Sequence, residues 1–200
     1  MANSKLSIGI TGGIGSGKSH ISRILSGHFA IPVYDCDKEA KRLTASSGEI
    51  RRQLAELVGA GLYGDSGMDR QLLADYLFAG PEHAARVNAI VHPAVLRDFS
   101  AWAARQAGPV VALESAILYE SGLRSHVDYV LFVDAPEETR LRRAMRRDNA
   151  TEAQVRARMR MQRPEQCRRL ADFVIDNGTA DDPALQEQLK NILQTLMHTP

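Results

Sequence analysis

At 200 residues the chain is long enough for one compact core, or a core with inserted lobes, and too short for several independent domains. With 44% apolar and 24% charged residues it has the make-up of a soluble globular protein, and a formal charge of +1 excludes nucleic-acid binding through overall basicity. Two distant cysteines, Cys36 and Cys167, give neither a disulfide framework nor a metal-ligand pair, "MANSKLSIGI" lacks the apolar stretch of a secretory leader, and no apolar run approaches membrane-spanning length; a cytoplasmic protein with no membrane or nucleic-acid partner is expected.

The first apolar run, Leu6–Ile10, alternates as a short buried strand does, and Ile21, Ile24 and Leu25 recur at helical spacing. Between them Gly12-Gly13-Ile14-Gly15-Ser16-Gly17-Lys18-Ser19 matches G-x-x-x-x-G-K-[ST] in the strand-then-helix context that motif requires. The glycines allow backbone N–H groups to converge on a β-phosphate, where a helix N-terminus favours an anion. Lys18 is expected to reach the β- and γ-phosphates of ATP, and the Ser19 hydroxyl to coordinate Mg²⁺. The bland alternative is a glycine-rich turn with a chance lysine, and the flanking strand and helix argue against it.

A weaker strand, Ile31–Tyr34, runs into Asp35 and Asp37. Carboxylates at a strand end in an open α/β sheet face the ligand crevice and can accept the proton of an attacking hydroxyl. They equally suit an N-cap pair for a helix from Lys38, and spacing leaves both readings open. Asp35–Gln106 is long and helical with hardly any strand signal, which predicts a lobe over about residues 35–108; its last helical pattern, Pro81–Ala107, is interrupted near Pro93. Further strands are expected at Pro109–Leu113, Tyr129–Asp134 and Phe173–Ile175. Helices are expected at Pro136–Arg147, at Thr151–Met161 with Thr151 as N-cap, and at Asp182–Met197 with Asp182 as N-cap and Pro183 at the first helical position. The alternation reads as α/β, doubly wound, with a mostly parallel sheet formed by residues 1–34, 109–137 and 170–200.

The stretch Glu138–Arg169 is unusual in charge: eleven arginines, no lysine and four acids give it +7 and leave −6 on the rest. A pair of solvated helices is one reading. Arginine to the exclusion of lysine favours the other, a segment of about residues 138–169 whose planar forks bind phosphate oxygens. A nucleic-acid binder built on this segment is disfavoured, because no Tyr, Phe or Trp interleaves the arginines. The phosphate-loop motif by itself does not separate a kinase from a switch GTPase or motor ATPase, but the N-K-x-D motif of guanine-specific switches is absent.

"GITGGIGSGKS", "DCD", "VHPAV", "RRAMRRDNAT" and "ADFVIDN" occur in the order and spacing of dephospho-coenzyme A kinases, which the chain resembles from about Leu6 to Asn177. The resemblance implies the P-loop nucleoside-kinase architecture, with an ATP core, a helical substrate lobe and a lid, and ATP- and Mg²⁺-dependent phosphorylation of the ribose 3′-hydroxyl of dephospho-CoA. By that resemblance Asp35 is the base and Asp37 its companion. Arg70 (following Asp69), His92 (preceding Pro93), Arg158 and Gln162 are acceptor contacts. Arg143 and Arg147 are lid arginines that close over the transferring group, and Asn177 lies near adenine. The implied partners are ATP and dephospho-CoA, and the expected assembly is a monomer or weak homo-oligomer.

Two positions depart from the family pattern. His20 replaces the threonine that follows the loop serine, which removes a hydroxyl at the α-phosphate for which a ring nitrogen could substitute. "ESAILYE" replaces Asp-x-Pro-Leu-Leu-x-Glu, which puts Glu114 where the family has the shorter Asp and suits a Mg²⁺ role through water rather than direct ligation. Rival readings are another small-molecule or nucleotide kinase of the same fold, and a nucleotide-binding regulator without turnover.

Overall fold

The computed structural model describes residues 5–179 and 181–198. Residues 1–4, the first part of the stretch judged not to be a leader, lie outside the described residues. In chain order the elements are β1 (Leu6–Thr11), α1 (Lys18–His28), β2 (Val33–Asp35), α2 (Cys36–Ser46), α3 (Gly48–Val58), β3 (Tyr63–Gly64), β4 (Gly67–Met68), α4 (Arg70–Phe78), α5 (Pro81–Arg105), β5 (Val110–Glu114), β6 (Tyr129–Asp134), α6 (Glu137–Asp148), α7 (Glu152–Arg160), α8 (Pro164–Leu170), β7 (Phe173–Asp176) and α9 (Asp182–His198). They fall into two compact units, one of residues 1–34 and 106–200 and the other of Asp35–Arg105.

The first unit holds a five-stranded sheet in the order β2-β5-β1-β6-β7. Its β1·β5, β1·β6 and β6·β7 pairs are parallel, with Ile8 opposite Ala112 and Tyr129, and Leu131 opposite Phe173. All five residues of β5 are buried, as are the central four of β6, which explains their unbroken apolar sequence. Ile8, Ile10, Leu131, Val133 and Ile175 pack with Ile21 and Leu25 of α1 and with Leu185 and Leu189 of α9. Strand β1 leads out to β2 at one edge, whereas β6 leads to β7 at the other. The chain therefore leaves the paired carboxyl ends of β1 and β6 in opposite directions, which in a doubly wound sheet opens the ligand crevice. Leu141, Ala144 and Val155 form a separate small cluster that joins α6 to α7.

In the second unit α2, α3 and α4 pack on α5, burying Ile50, Leu54, Val87, Val91, Val95 and Phe99. Helix α5 runs unbroken through Pro93, contrary to the expected interruption. A proline inside a helix costs about 3 kcal/mol, but burial of each large apolar side chain on the core face contributes about 1.5–3 kcal/mol. The packing wins. At the other end of the chain the cap of α9 is Asp181, one residue earlier than expected. Its carboxylate accepts from Ala184 N at 3.0 Å, so Pro183 is the second helical residue. Among the described residues no helix is long and apolar enough to cross a membrane.

Candidate active site

The loop between β1 and α1 is held by its own backbone. Ser16 N donates to Gly13 O at 3.1 Å, and His20 N and Ile21 N both donate to Gly17 O, at 2.9 and 3.1 Å. Gly15 (φ +77°) and Gly17 (φ +98°) are in the left-handed region, and a Cβ at Gly15 would lie 2.7 Å from the Arg140 carbonyl carbon. Only glycine fits there without moving α6. The N-terminus of α1 thus opens directly onto the loop, the arrangement that suits a phosphate. Lys18 lies over the same loop, its Nζ donating to Gly12 O at 3.0 Å and Gly13 O at 3.3 Å. The Ser16 hydroxyl is buried with no hydrogen-bond partner. Beside Gly13, beyond the carboxyl end of β6, Asp134, Pro136, Arg140, Arg168 and Asp176 line an open cavity of about 410 Å³.

Ser19 and Ser22, one helical turn apart on α1, converge on Glu114 at the end of β5. The Ser19 hydroxyl donates to Oε1 at 2.8 Å and the Ser22 hydroxyl to Oε2 at 2.7 Å. Glu114 is buried, yet no ion pair among the described residues involves it. A buried carboxylate with two hydroxyl donors and no cation fits a divalent ion next to it. Because Ser19 donates its proton to Glu114, its oxygen lone pairs stay free to act as a ligand. No group of three or more His, Cys, Asp or Glu among the described residues could cage a metal. The donor set suits Mg²⁺, which keeps waters and shares phosphate oxygens. Ser22 was not legible as part of this set.

A second network joins the loop to the far end of the sheet. Asn177 is buried, and its Nδ2 donates to Ser16 O at 2.7 Å, while its own carbonyl accepts from Arg143 Nη1 at 2.8 Å. Gln162, between α7 and α8, accepts from Ile14 N at 2.8 Å through Oε1. Arg140, which the sequence did not single out, donates from Nε to Ala135 O at 3.0 Å and packs against Gly13 and Gly15. His20 turns away from the loop: Nε2 meets Asp182 Oδ1 at 2.7 Å, and Nδ1 faces Arg23 Nη2 at 3.3 Å. A phosphate contact from its ring would displace one of them.

Arg147 and Arg158 meet at one carboxylate. Arg147 grips Asp148 with two bonds, Nε to Oδ1 at 2.7 Å and Nη2 to Oδ2 at 3.0 Å, and Arg158 Nη2 donates to the same Oδ2 at 2.8 Å. The hydrogen bonds from Arg147 and Arg158 hold the Asp148 carboxyl well below the usual carboxylate range. Asn149, with φ +49°, ends α6, and Thr151 starts α7 with a capping box to Gln154.

The remaining candidates belong to the second unit. Asp35 Oδ1 accepts from Lys38 N at 3.0 Å, which makes it the N-cap of α2, and Asp37 is exposed in the first turn. Arg70 is the exposed first residue of α4, which Asp69 caps through Gln71 N and Leu72 N at 2.9 and 3.0 Å. His92 is half-buried in α5, and burial lowers its pKa, favouring the neutral imidazole.

The family model for dephospho-CoA kinase matches residues 6–182. A dephospho-CoA kinase of Bacteroides fragilis is 43% identical over 176 residues, which is 86% of this chain and 85% of that protein. A crystal structure of a Thermus thermophilus protein is 34% identical with a TM-score of 0.83, over 96% of this chain and 98% of that one. At 20% identity, the structure of dephospho-CoA kinase from Campylobacter jejuni shares the fold, with a TM-score of 0.66 over 95% of this chain and 96% of that one. A match that covers the phosphate loop, both compact units and the arginine-rich helices leaves one conclusion: this chain belongs to the dephospho-CoA kinase family.

Proposed function

We propose that the chain transfers the γ-phosphoryl group of ATP to the ribose 3′-hydroxyl of dephospho-CoA, giving coenzyme A and ADP. The observation that carries this reading is the single family match over residues 6–182, which takes in the phosphate loop and the helical unit together. Phosphoryl transfer leaves a protein little covalent work, so its residues act by position and charge. The amides of Gly12–Ser19 hold the β-phosphate, and Lys18 exchanges the carbonyls of Gly12 and Gly13 for β- and γ-phosphate oxygens. Ser19, with Glu114 behind it, would hold Mg²⁺, and the ion would supply charge neutralisation at the β- and γ-phosphates. Asn177 fixes the loop from Ser16 and carries Arg143 beside the nucleotide, and His20 supports this end of the site through Asp182.

Asp35 orients the acceptor hydroxyl and takes its proton as the bond to phosphorus forms. Asp37, Arg70, His92, Arg158 and Gln162 bind the acceptor, with residues 35–108 as the substrate lobe. Residues 138–169 act as the lid, in which Arg143 and Arg147 neutralise the charge developing on the transferred group. The chain works as a monomer or weak homo-oligomer. A coupled ADP assay with dephospho-CoA, adenosine, AMP and CMP as acceptors tests the reading. Dephospho-CoA should have the highest kcat/KM, because binding of its pantetheine arm is spent partly on kcat. Equal turnover of AMP or CMP would overturn it.

A further inference from the structure

We infer that Ser22 is a positioning residue for the divalent-cation site: it fixes the plane of the Glu114 carboxylate and thereby the group that meets the ion beside Ser19. The inference rests on the reading of this site as one for ATP and Mg²⁺, but not on the identity of the acceptor.

Ser22 occupies a helix position that packing would give to an apolar residue. It is 8% exposed, flanked in the sequence by the fully buried Ile21 and followed by the buried Ile24 and Leu25. A buried serine in a helix ordinarily returns its proton to the carbonyl one turn back. Ser22 instead spends it on Glu114 Oε2 at 2.7 Å, while Ser19 takes Oε1 at 2.8 Å. The terminal torsion of a glutamate is broad, so one anchored oxygen leaves the carboxylate free to swing. Two hydroxyls three residues apart on one helix face, each on a different oxygen, fix it. An aspartate at this position is one methylene shorter, which would draw its carboxylate back from the two hydroxyls. The length of Glu114 and the hydroxyl of Ser22 therefore belong together, and the second compensates for the first.

A hydroxyl that merely satisfied a buried carboxylate would affect stability alone, so the test reads the cation. With the full chain and no acceptor, ATP binding is followed by calorimetry at increasing Mg²⁺, and Mn²⁺ binding in the presence of ADP by electron spin resonance. Ser22→Ala should raise the Mg²⁺ concentration for half-maximal tightening of ATP about tenfold, in the range for residues that orient a metal's ligands, and leave metal-free ATP affinity unchanged. Ser22→Thr, which keeps the hydroxyl, should restore the wild-type requirement. In a Glu114→Gln background the Ser22→Ala change should have no further effect on Mg²⁺ dependence. If Ser22→Ala weakens metal-free and Mg²⁺-supported ATP binding equally, or lowers Tm with Mg²⁺ dependence intact, the inference is wrong. Failure to phosphorylate dephospho-CoA would leave these measurements untouched, so the two readings fail separately.

Discussion

The candidate residues of the two units are built into the protein in opposite ways. In the first unit they bond to one another across long stretches of chain: Ser22 to Glu114, Gln162 to Ile14, Asn177 to Ser16, over separations of 92, 148 and 161 residues. In the second unit Asp35 bonds three residues ahead, Arg70 follows an Asp cap, and His92 sits half-buried within one helix. The phosphate-binding end is thus fixed by tertiary hydrogen bonds. The acceptor residues of the second unit are placed by local helix geometry instead, Asp35 and Arg70 at helix starts and His92 within α5, and they can be altered without unpicking that network. The contrast teaches where a substitution will separate chemistry from folding.

Asp35 breaks the comparison most sharply, since it has both a local structural task and a proposed chemical one. Asp35→Asn keeps the cap, because Asn caps as well as Asp, but cannot take a proton. We expect kcat to fall by roughly 10²–10⁴, with Tm and ATP affinity almost unchanged. Asp35→Ala should add a stability loss of about 1 kcal/mol, read by denaturant titration. Normal turnover in the Asn variant would reduce Asp35 to a helix cap. Lys18→Ala comes next: with one donor to the developing charge removed, kcat should drop by about 10²–10³. Its Nζ donates to the loop carbonyls of Gly12 and Gly13, at the surface of the core rather than within it, and the circular dichroism melt should barely move.

Asn177 tests the other side of the contrast. Asn177→Ala removes the donor to Ser16 O and leaves a buried carbonyl unpaired. The expected cost is about 1–3 kcal/mol of stability, accompanied by a higher KM for ATP. A change in KM without any change in stability would mean that Asn177 serves the nucleotide and not the loop.

How much of this was legible follows from the same physics. The phosphate loop is a local object, and its spacing, its glycines and the strand and helix around it lie within one short stretch of sequence. Strands β5 and β6 were legible because burial on both faces leaves unbroken apolar runs. Thr151 was legible as a cap because a cap is a local signal, here within the four residues Thr151 to Gln154. Helix α8 carries no buried residue, so no apolar period marks it. With two aspartates ahead of Pro183, sequence alone could not tell which carboxylate would reach Ala184 N. Ser22, Arg140 and the partner of Gln162 depend on which strand ends lie side by side, and no spacing rule carries that. The proline in α5 was misjudged because its local cost is visible in sequence whereas the packing that offsets it is not.

The smallest effect expected concerns Asp148, which with its two arginine partners forms a candidate cluster of the first unit that lies at the surface. Its carboxyl is held well below the usual range by the hydrogen bonds from Arg147 and Arg158. A depressed folded-state pKa contributes stability above the unfolded pKa, near 4 for a carboxylate, and that contribution is lost as pH falls through the folded value. At neutral pH the contribution is fully present, but exposure and salt screening keep it small. Carboxyl chemical shifts followed during an acid titration should give Asp148 a midpoint well below the ordinary carboxylate value of about 4, and added salt should move it upward. Asp148→Asn should leave Tm at neutral pH nearly unchanged. It should also release Arg147 and Arg158 from their shared partner, so that inorganic phosphate or ATP protects this segment from trypsin at lower concentration than in the wild type. If the Asp148 midpoint instead lies at the ordinary carboxylate value of about 4, the three-residue cluster does not persist in solution, and Arg147 and Arg158 are already free to meet a phosphate.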